Sequence, residues 1–261
     1  MMNITEYSKE QIQQGIDRAR EQLDGLNEHI RLLFAPKQIK ENNFEQVCDI
    51  YSRIDPDNYD TVIVVESYDK VLDKKLPMSS HNYFETPLGK VKVNDALRND
   101  LCDEDDDFFV SDEGFSKDMS LFQQLMMLQV VMNDFQVLSI QIADEGPYIV
   151  KELAYVLEEV MASRNALIIF SCDLPVDRKK EYERLKSMVQ SEDNTELMHF
   201  LNSGESHIDG VGSFIAGIIV SKEWGLSIHF LNEDYVQKPD NNLLSGYASY
   251  TQNSKVILES V

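Results

Sequence analysis

The feature that most constrains this chain is a repeated alternation of short apolar runs with longer segments of helical spacing. Apolar runs at residues 30–35 and 61–65 flank a stretch with helical periodicity at residues 44–54. The order strand, helix, strand is typical of a βαβ unit, in which the two strands lie parallel. The same order recurs later in the chain, at residues 135–143, 148–163 and 166–172. We therefore expect an α/β fold, with residues 1–261 forming one domain.

The last third of the chain predicts helices followed by antiparallel strands. Helical spacing covers residues 178–191 and 195–202, and a glycine-rich segment at residues 209–217 opens a further helix. Short apolar runs then follow, with a turn predicted between the last two, at residues 226–231, 245–251 and 255–258. Because runs joined by tight turns pair in the antiparallel sense, the sheet is expected to be mixed and mostly parallel.

Two charged segments complete the outline of the domain. Residues 1–29 are predicted to carry an amphipathic helix, because Ile12, Ile16 and Ala19 recur at helical spacing on a charged background. Residues 103–107 read DEDDD. That run is predicted to be a solvated acidic loop, since the glycine and terminal glutamate of a calcium-binding loop are missing.

The charge balance restricts the classes of partner. With 24 Lys and Arg against 46 Asp and Glu, the formal net charge is −22. Nucleic acids and anionic membrane surfaces require clustered basic residues, so we expect neither as a partner. A protein or a small molecule remains as the expected partner.

The cysteines and the hydropathy pattern favour a cytoplasmic protein. The three cysteines are an odd number without CxxC spacing, which predicts neither a disulfide framework nor a zinc ribbon. The first 22 residues lack the apolar core of a secretory signal, and no apolar run approaches the roughly 18 residues of a membrane span.

One motif resembles a known family. Residues 84–97 read FETPLGKVKVNDAL, which predicts a β-hairpin feeding a helix and is similar to the ETPLG-x-V-x-V-D stretch of the Memo family. Weaker matches follow in the family's order, at residues 35–36, 62–69, 118–129, 171–173, 209–212 and 245–248. The resemblance implies a Memo-like α/β sandwich, similar to the class III non-haem iron dioxygenases, with a metal held by two histidines and one cysteine.

The resemblance also implies that this chain has replaced those ligands. The positions of the two histidines and the cysteine hold Lys37, Asp69 and Asp209. Further pocket positions hold two apolar residues in place of histidines and one retained aspartate, namely Met119, Val176 and Asp173. We therefore assign these six residues to a vestigial pocket, and we assign no catalytic, cofactor-binding or metal-ligating residue and no cofactor.

The replacements predict an ion cluster in which the Lys37 ammonium takes the place of the metal between Asp69 and Asp209. Removing Lys37 from a buried cluster of this kind would cost about 3 kcal/mol, because it leaves unpaired acidic groups. Simpler roles are open for the same residues. Asp209 could be the N-cap of the next helix, Lys37 could point into water, and Asp173 could cap the turn towards residue 178.

Three functions fit this pocket. The first is a non-catalytic binding or regulatory module. The second is an enzyme that uses Mg²⁺ or Mn²⁺, gathered by Asp69, Asp173 and Asp209. The third uses Lys37 as a nucleophile, although neighbouring aspartates would raise its pKa and weaken it in that role.

Overall fold

The computed structural model describes residues 3–23, 29–68, 72, 75–191, 194–231 and 241–250, and a mixed sheet lies at its centre. Its ten strands are β1 (Ile30–Ala35), β2 (Thr61–Ser67), β3 (Leu76–Met78), β4 (Tyr83–Thr86), β5 (Gly89–Val93), β6 (Phe108–Val110), β7 (Gln136–Ile142), β8 (Ala166–Ser171), β9 (Ser227–Phe230) and β10 (Gly246–Ser249).

The strand order is β4-β5-β7-β2-β8-β1-β10-β9, with β3 pairing to β6 and β7. The five neighbouring strands from β5 to β1 run parallel, whereas β4, β9 and β10 are antiparallel to their neighbours. The predicted mixed, mostly parallel sheet is thus confirmed. The carboxyl ends of β7, β2, β8 and β1 meet at one edge, where open α/β sheets bind their ligands.

Helices cover both faces of the central strands. They are α1 (Lys9–Arg20), α2 (Phe44–Ser52), α3 (Asp95–Glu104), α4 (Ser120–Val131), α5 (Pro147–Met161), α6 (Lys179–Gln190), α7 (Asn194–Asn202) and α8 (Val211–Glu223). Short 3₁₀ turns occur at Ile4–Glu6, Pro56–Asn58 and Val176–Arg178. Within the described ranges, no helix has both the length and the apolar character needed to cross a membrane.

The alternation of side chains along each strand separates two helical layers. Phe34 and Phe170, which are register partners, pack against Gly217 of α8 on one face. The next residues along these strands, Ala35 and Ser171, point to the opposite face, because successive side chains of a strand alternate. Helix α4 lies on that second face, where Ser120 contacts Ser171.

Two predicted boundaries differ from the structure. The N-terminal helix begins at Lys9, not near residue 1, because Ser8 caps it together with Gln11, and it ends at Arg20. Residues 103–104 belong to the last turn of α3 and not to a loop. The helix extends into the acidic run because Leu97 and Leu101 are buried and stabilise its preceding turns. The strand predicted at residues 255–258 lies outside the described residues.

Candidate functional site

A row of polar side chains crosses the carboxyl ends of the parallel strands. Glu66 on β2 lies in register with Gln141 on β7 and with Ser171 on β8. In-register residues of parallel strands point to the same face, so the three side chains stand side by side. Glu66 is 4% exposed, Gln141 1% and Ser171 0%. A buried polar row in an apolar sheet requires partners from another element.

Helix α4 supplies those partners through its first turn. The Ser120 backbone N–H donates to Glu66 Oε2 at 2.9 Å, and the Ser120 hydroxyl lies 2.6 Å from the Ser171 hydroxyl. A carboxylate at a helix N-terminus is stabilised by the unpaired N–H groups and by the helix dipole. Met119 is the N-cap residue of α4, and its buried side chain makes no capping hydrogen bond.

A buried glutamine of α4 fixes the loop that follows β1. Gln124 Nε2 donates to the Pro36 carbonyl at 2.8 Å and to the Ser120 hydroxyl at 3.0 Å. The Tyr51 hydroxyl donates to Gln124 Oε1. The amide is therefore satisfied on both sides, and the backbone that carries Lys37 is held against the helix.

Lys37 joins this loop to two acidic residues. Its backbone N–H donates to Asp173 Oδ2 at 3.1 Å, and its Nζ donates to Asp209 Oδ1 at 2.7 Å. The Lys37 side chain is 17% exposed and that of Asp209 is 59% exposed. Lys37 does not simply point into water, and the ion pair is open to solvent on the side of Asp209.

Asp173 and Asp209 are themselves linked through their backbones, in an isolated antiparallel bridge. The residue that follows, Gly210, has φ +79° and is the N-cap of α8. An added Cβ at Gly210 would lie 2.8 Å from the Ser171 carbonyl oxygen, so glycine is required there. The alternative in which Asp209 caps α8 is wrong, because Asp209 lies one residue before the N-cap and binds Lys37.

The cap expected from Asp173 is also absent. Pro175 is the N-cap of the 3₁₀ turn Val176–Arg178, and neither this turn nor α6 has a side-chain capping hydrogen bond. The Asp173 carboxylate instead accepts from Lys37.

These residues line a cleft of about 580 Å³, which we call the central cleft. Its floor includes Glu66, Ser67 and Gln141, and its walls include Tyr68, Met119, Leu174 and Pro175. Lys37, Lys40, Asp173 and Asp209 also line it. Polar groups therefore lie at the floor and along one side, against partly apolar walls.

Burial dominates the electrostatics of two carboxyl groups in the central cleft. Burial raises the pKa of Glu66 to about 7. The backbone N–H groups of Ser120 and Leu121 and the positive charge of Lys37 lower this pKa, but their effect is smaller than that of burial. Burial likewise raises the pKa of Asp173 to about 7; the negative charge of Asp209 adds to that rise, whereas Lys37 opposes it. Both groups thus hold protons at a higher pH than exposed carboxyls do.

The structure brings four of the six predicted pocket residues together. Lys37, Met119, Asp173 and Asp209 line the central cleft. Val176 does not line it; the residue lies in a 3₁₀ turn, partly buried against the core. Asp69 lies outside the described residues, so the predicted cluster is seen as the pair Lys37 and Asp209.

The buried polar floor was not predicted from the sequence. Glu66 and Gln141 belong to runs read only as strands, TVIVVES and QVLSIQI. A single carboxylate near the end of an otherwise apolar run was the signal available for Glu66.

The donor set of the described residues does not fit a metal held by imidazole and thiolate. The Lys37 ammonium has no lone pair to donate to a metal. Cys172 is fully buried, and burial raises the pKa of its thiol well above the ordinary value. In the part of the chain that the structure describes, no group of three or more His, Cys, Asp or Glu could hold an ion.

The sequence is similar to that of several known proteins. A MEMO1 family protein of Thermotoga neapolitana is 28% identical over 175 residues, which cover 64% of this chain and 61% of that protein. A MEMO1 family protein of Nitrosopumilus maritimus is 26% identical over 127 residues, covering 48% and 46%. The matched segment thus spans less than two thirds of either relative.

A solved structure supports the fold. The crystal structure of the uncharacterised protein JW3007 from Escherichia coli K12 superposes with a TM-score of 0.55 at 11% identity, covering 85% of this chain and 98% of that one. The sequence also matches the Memo-like protein family over residues 3–251. A match over nearly the whole chain, with the sheet and the motif order described above, establishes that the protein belongs to the Memo-like family.

Proposed function

We propose that this chain is a Memo-like binding or regulatory module whose central cleft works without a metal ion and without catalysis. The observation that carries the proposal is the 2.7 Å ion pair between Lys37 Nζ and Asp209 Oδ1. These are two of the three positions at which the resemblance expects metal ligands.

Charge arithmetic supports this proposal. Two neutral histidines, a thiolate and a divalent cation sum formally to about +1. Lys37 with ionised Asp69 and Asp209 sums to −1, and the described pair of Lys37 and Asp209 is neutral. Because the cation belongs to the chain, a metal ion at that place would be repelled by the ammonium and would compete with it for Asp209.

The partner that we infer is a protein or a small molecule that enters the central cleft. The net charge of −22 disfavours nucleic acid and anionic membranes. Cys48 and Cys172 are buried thiols outside any disulfide, as expected of a protein kept in the reducing cytoplasm.

A second candidate function has one observation in its favour. Asp173 and Asp209 are held together by their backbone bridge, so two carboxylates face one cleft. With Asp69 as a third carboxylate, they would suit Mg²⁺ or Mn²⁺, which prefer oxygen ligands. Lys37 would then serve as an acid or as a substrate anchor.

Metal analysis separates the two functions. Protein purified without chelators is submitted to elemental analysis, and its melting temperature is then followed during Mg²⁺ and Mn²⁺ titration. We expect substoichiometric metal and no saturable rise in melting temperature, in wild type and in Asp173→Asn alike. A stoichiometric transition metal, or a saturable rise that Asp173→Asn removes, would overturn the metal-free module.

A further inference from the structure

The floor of the central cleft carries polar atoms that lack a protein partner. Among the described residues, Glu66 Oε1, Ser67 Oγ and Gln141 Oε1 are buried and make no hydrogen bond. All three residues line the cleft, and Glu66 and Gln141 are only 4% and 1% exposed. A buried polar atom without a partner is unfavourable, so the two acceptors on one face of the sheet, Glu66 Oε1 and Gln141 Oε1, require an explanation.

The neighbouring contacts fix which atoms remain open. Glu66 Oε2 accepts from Ser120, so the carboxylate is anchored while Oε1 is left over. Gln141 Nε2 donates to the Gly114 carbonyl and to Met119 Sδ. The amide nitrogen is therefore already hydrogen-bonded, whereas the acceptor Oε1 has no donor in the described part of the chain. The open atoms of the floor are therefore hydrogen-bond acceptors, and a complementary ligand would have to donate hydrogen bonds to them.

A glycine keeps the space beside one acceptor open. Gly114 also lines the central cleft and has φ +88°. An added Cβ there would lie 2.9 Å from Gln141 Oε1. The conformation and the contact both favour glycine, and the absence of a side chain leaves the amide oxygen uncovered on that side.

We propose that this floor binds the ammonium group of an organic primary amine, with Glu66 Oε1 and Gln141 Oε1 as its acceptors. A primary ammonium has three N–H donors and one positive charge; two of the donors match the two acceptor atoms, and the charge matches the Glu66 carboxylate. The proposal rests on the metal-free cleft proposed above and names the class of ligand for that cleft.

The size and walls of the central cleft suit an organic ligand larger than one ion. The cleft measures about 580 Å³, whereas a water molecule occupies roughly 30 Å³ of liquid. Tyr68, Met119, Leu174 and Pro175 supply apolar wall surface. An amine with a short hydrocarbon body would place its charged end on the floor and its body against these side chains.

The test uses n-butylammonium chloride as the probe, with n-butanol and sodium butyrate as isosteric comparisons. Dissociation constants are measured by NMR titration on wild type, Glu66→Gln and Gln141→Met. Glu85→Gln is the matched control, because Glu85 is an exposed glutamate on β4. Circular dichroism melts establish that each variant is folded.

In wild type, n-butylammonium is expected to bind at least tenfold more tightly than n-butanol or butyrate. Glu66→Gln and Gln141→Met should each weaken it at least fivefold, while Glu85→Gln leaves it unchanged. Equal binding of amine and alcohol to wild type, or wild-type affinity in folded Glu66→Gln, overturns the amine site.

Elemental analysis of the same samples separates this inference from the proposed function. Stoichiometric metal together with selective amine binding supports the amine site and overturns the metal-free module. Metal-free protein without selectivity for the amine overturns the amine site alone.

Discussion

Asp173 and Asp209 exchange two backbone hydrogen bonds, from Asp173 N to Asp209 O at 2.8 Å and from Asp209 N to Asp173 O at 2.9 Å. Lys37 then engages both side chains, Asp173 through its backbone N–H and Asp209 through its ammonium. Each aspartate is more than 130 residues away from Lys37 in the sequence, so three distant chain segments meet at this lysine. The chain itself therefore sets the spacing of the two acidic residues.

The exposure of this ion pair changes the expected effect of removing Lys37. A fully buried cluster predicted a loss of about 3 kcal/mol in the free energy of unfolding. Because the Asp209 side chain is 59% exposed, water screens the pair, and we now expect Lys37→Met to cost about 1 kcal/mol. Urea unfolding at neutral pH measures the difference.

A double-mutant cycle with Asp209→Asn isolates the pair from other effects of each substitution. We expect a coupling free energy of up to about 1 kcal/mol that shrinks in high salt. Strictly additive single and double variants would show that the contact contributes nothing to stability.

The sheet could be predicted because its information is local. The runs at β1, β2, β7 and β8 are apolar throughout, and polar or turn-forming residues bound them, as fully buried parallel strands require. Their parallel order followed from the intervening helices. The start of α1 does not follow from apolar periodicity, because the residues that begin the helix through a reciprocal cap, Ser8 and Gln11, are polar and lie outside that pattern.

The site was only partly predictable because its contacts are long-range. Lys37, Asp173 and Asp209 follow or precede recognisable strands and helices, so motif position was sufficient to identify them. Glu66 becomes a floor residue only because Ser120, 54 residues later, donates to it. Nothing in the run TVIVVES indicates that partner.

Replacing Glu66 by glutamine should stabilise the protein above neutral pH. The folded pKa of Glu66 is raised to about 7, so the folded state holds the proton more tightly than the unfolded chain. Stability is therefore lost as pH rises from about 4.5 to about 7, by at most about 3 kcal/mol. Glutamine mimics the neutral carboxyl and removes this loss.

Melting temperatures of wild type and Glu66→Gln across pH 4.5–8.5 check the sign. We expect the variant to melt higher at pH 8 and the two proteins to converge near pH 4.5. Asp173, whose pKa is also raised, is present in both proteins and cancels in the comparison. A Glu66→Gln variant that is less stable than wild type at pH 8 would refute the assignment of a destabilising buried charge.

Gln124 is expected to be costly to remove, because three groups depend on its amide. Gln124→Leu would leave the Tyr51 hydroxyl, the Pro36 carbonyl and the Ser120 hydroxyl without this partner. We expect a loss of about 3 kcal/mol in the free energy of unfolding. Adding Tyr51→Phe should recover about 1 kcal/mol, since it removes one stranded group; a further loss in the double variant would contradict the network.

Gly210→Ala tests whether the junction at which the N-terminus of α8 contacts the end of β8 shapes the central cleft. The substitution puts a Cβ at φ +79° and 2.8 Å from the Ser171 carbonyl oxygen, a backbone atom that cannot rotate away. Gly204→Ala is the matched control, because Gly204 has φ +74° but no atom within 4 Å of the added Cβ. The control should cost about 1 kcal/mol for the left-handed conformation alone.

Gly210→Ala should lower the free energy of unfolding by about 3 kcal/mol, because the close contact with Ser171 adds to the cost of the left-handed conformation. It should also displace Asp209, the preceding residue, and weaken its contact with Lys37. Urea unfolding gives the stability of both variants, and the coupling between Lys37→Met and Asp209→Asn, remeasured in the Gly210→Ala background, gives the geometric effect. Equal losses for the two alanine variants would mean that the junction relaxes freely, and that the approach of Gly210 to Ser171 does not hold Asp209 in place.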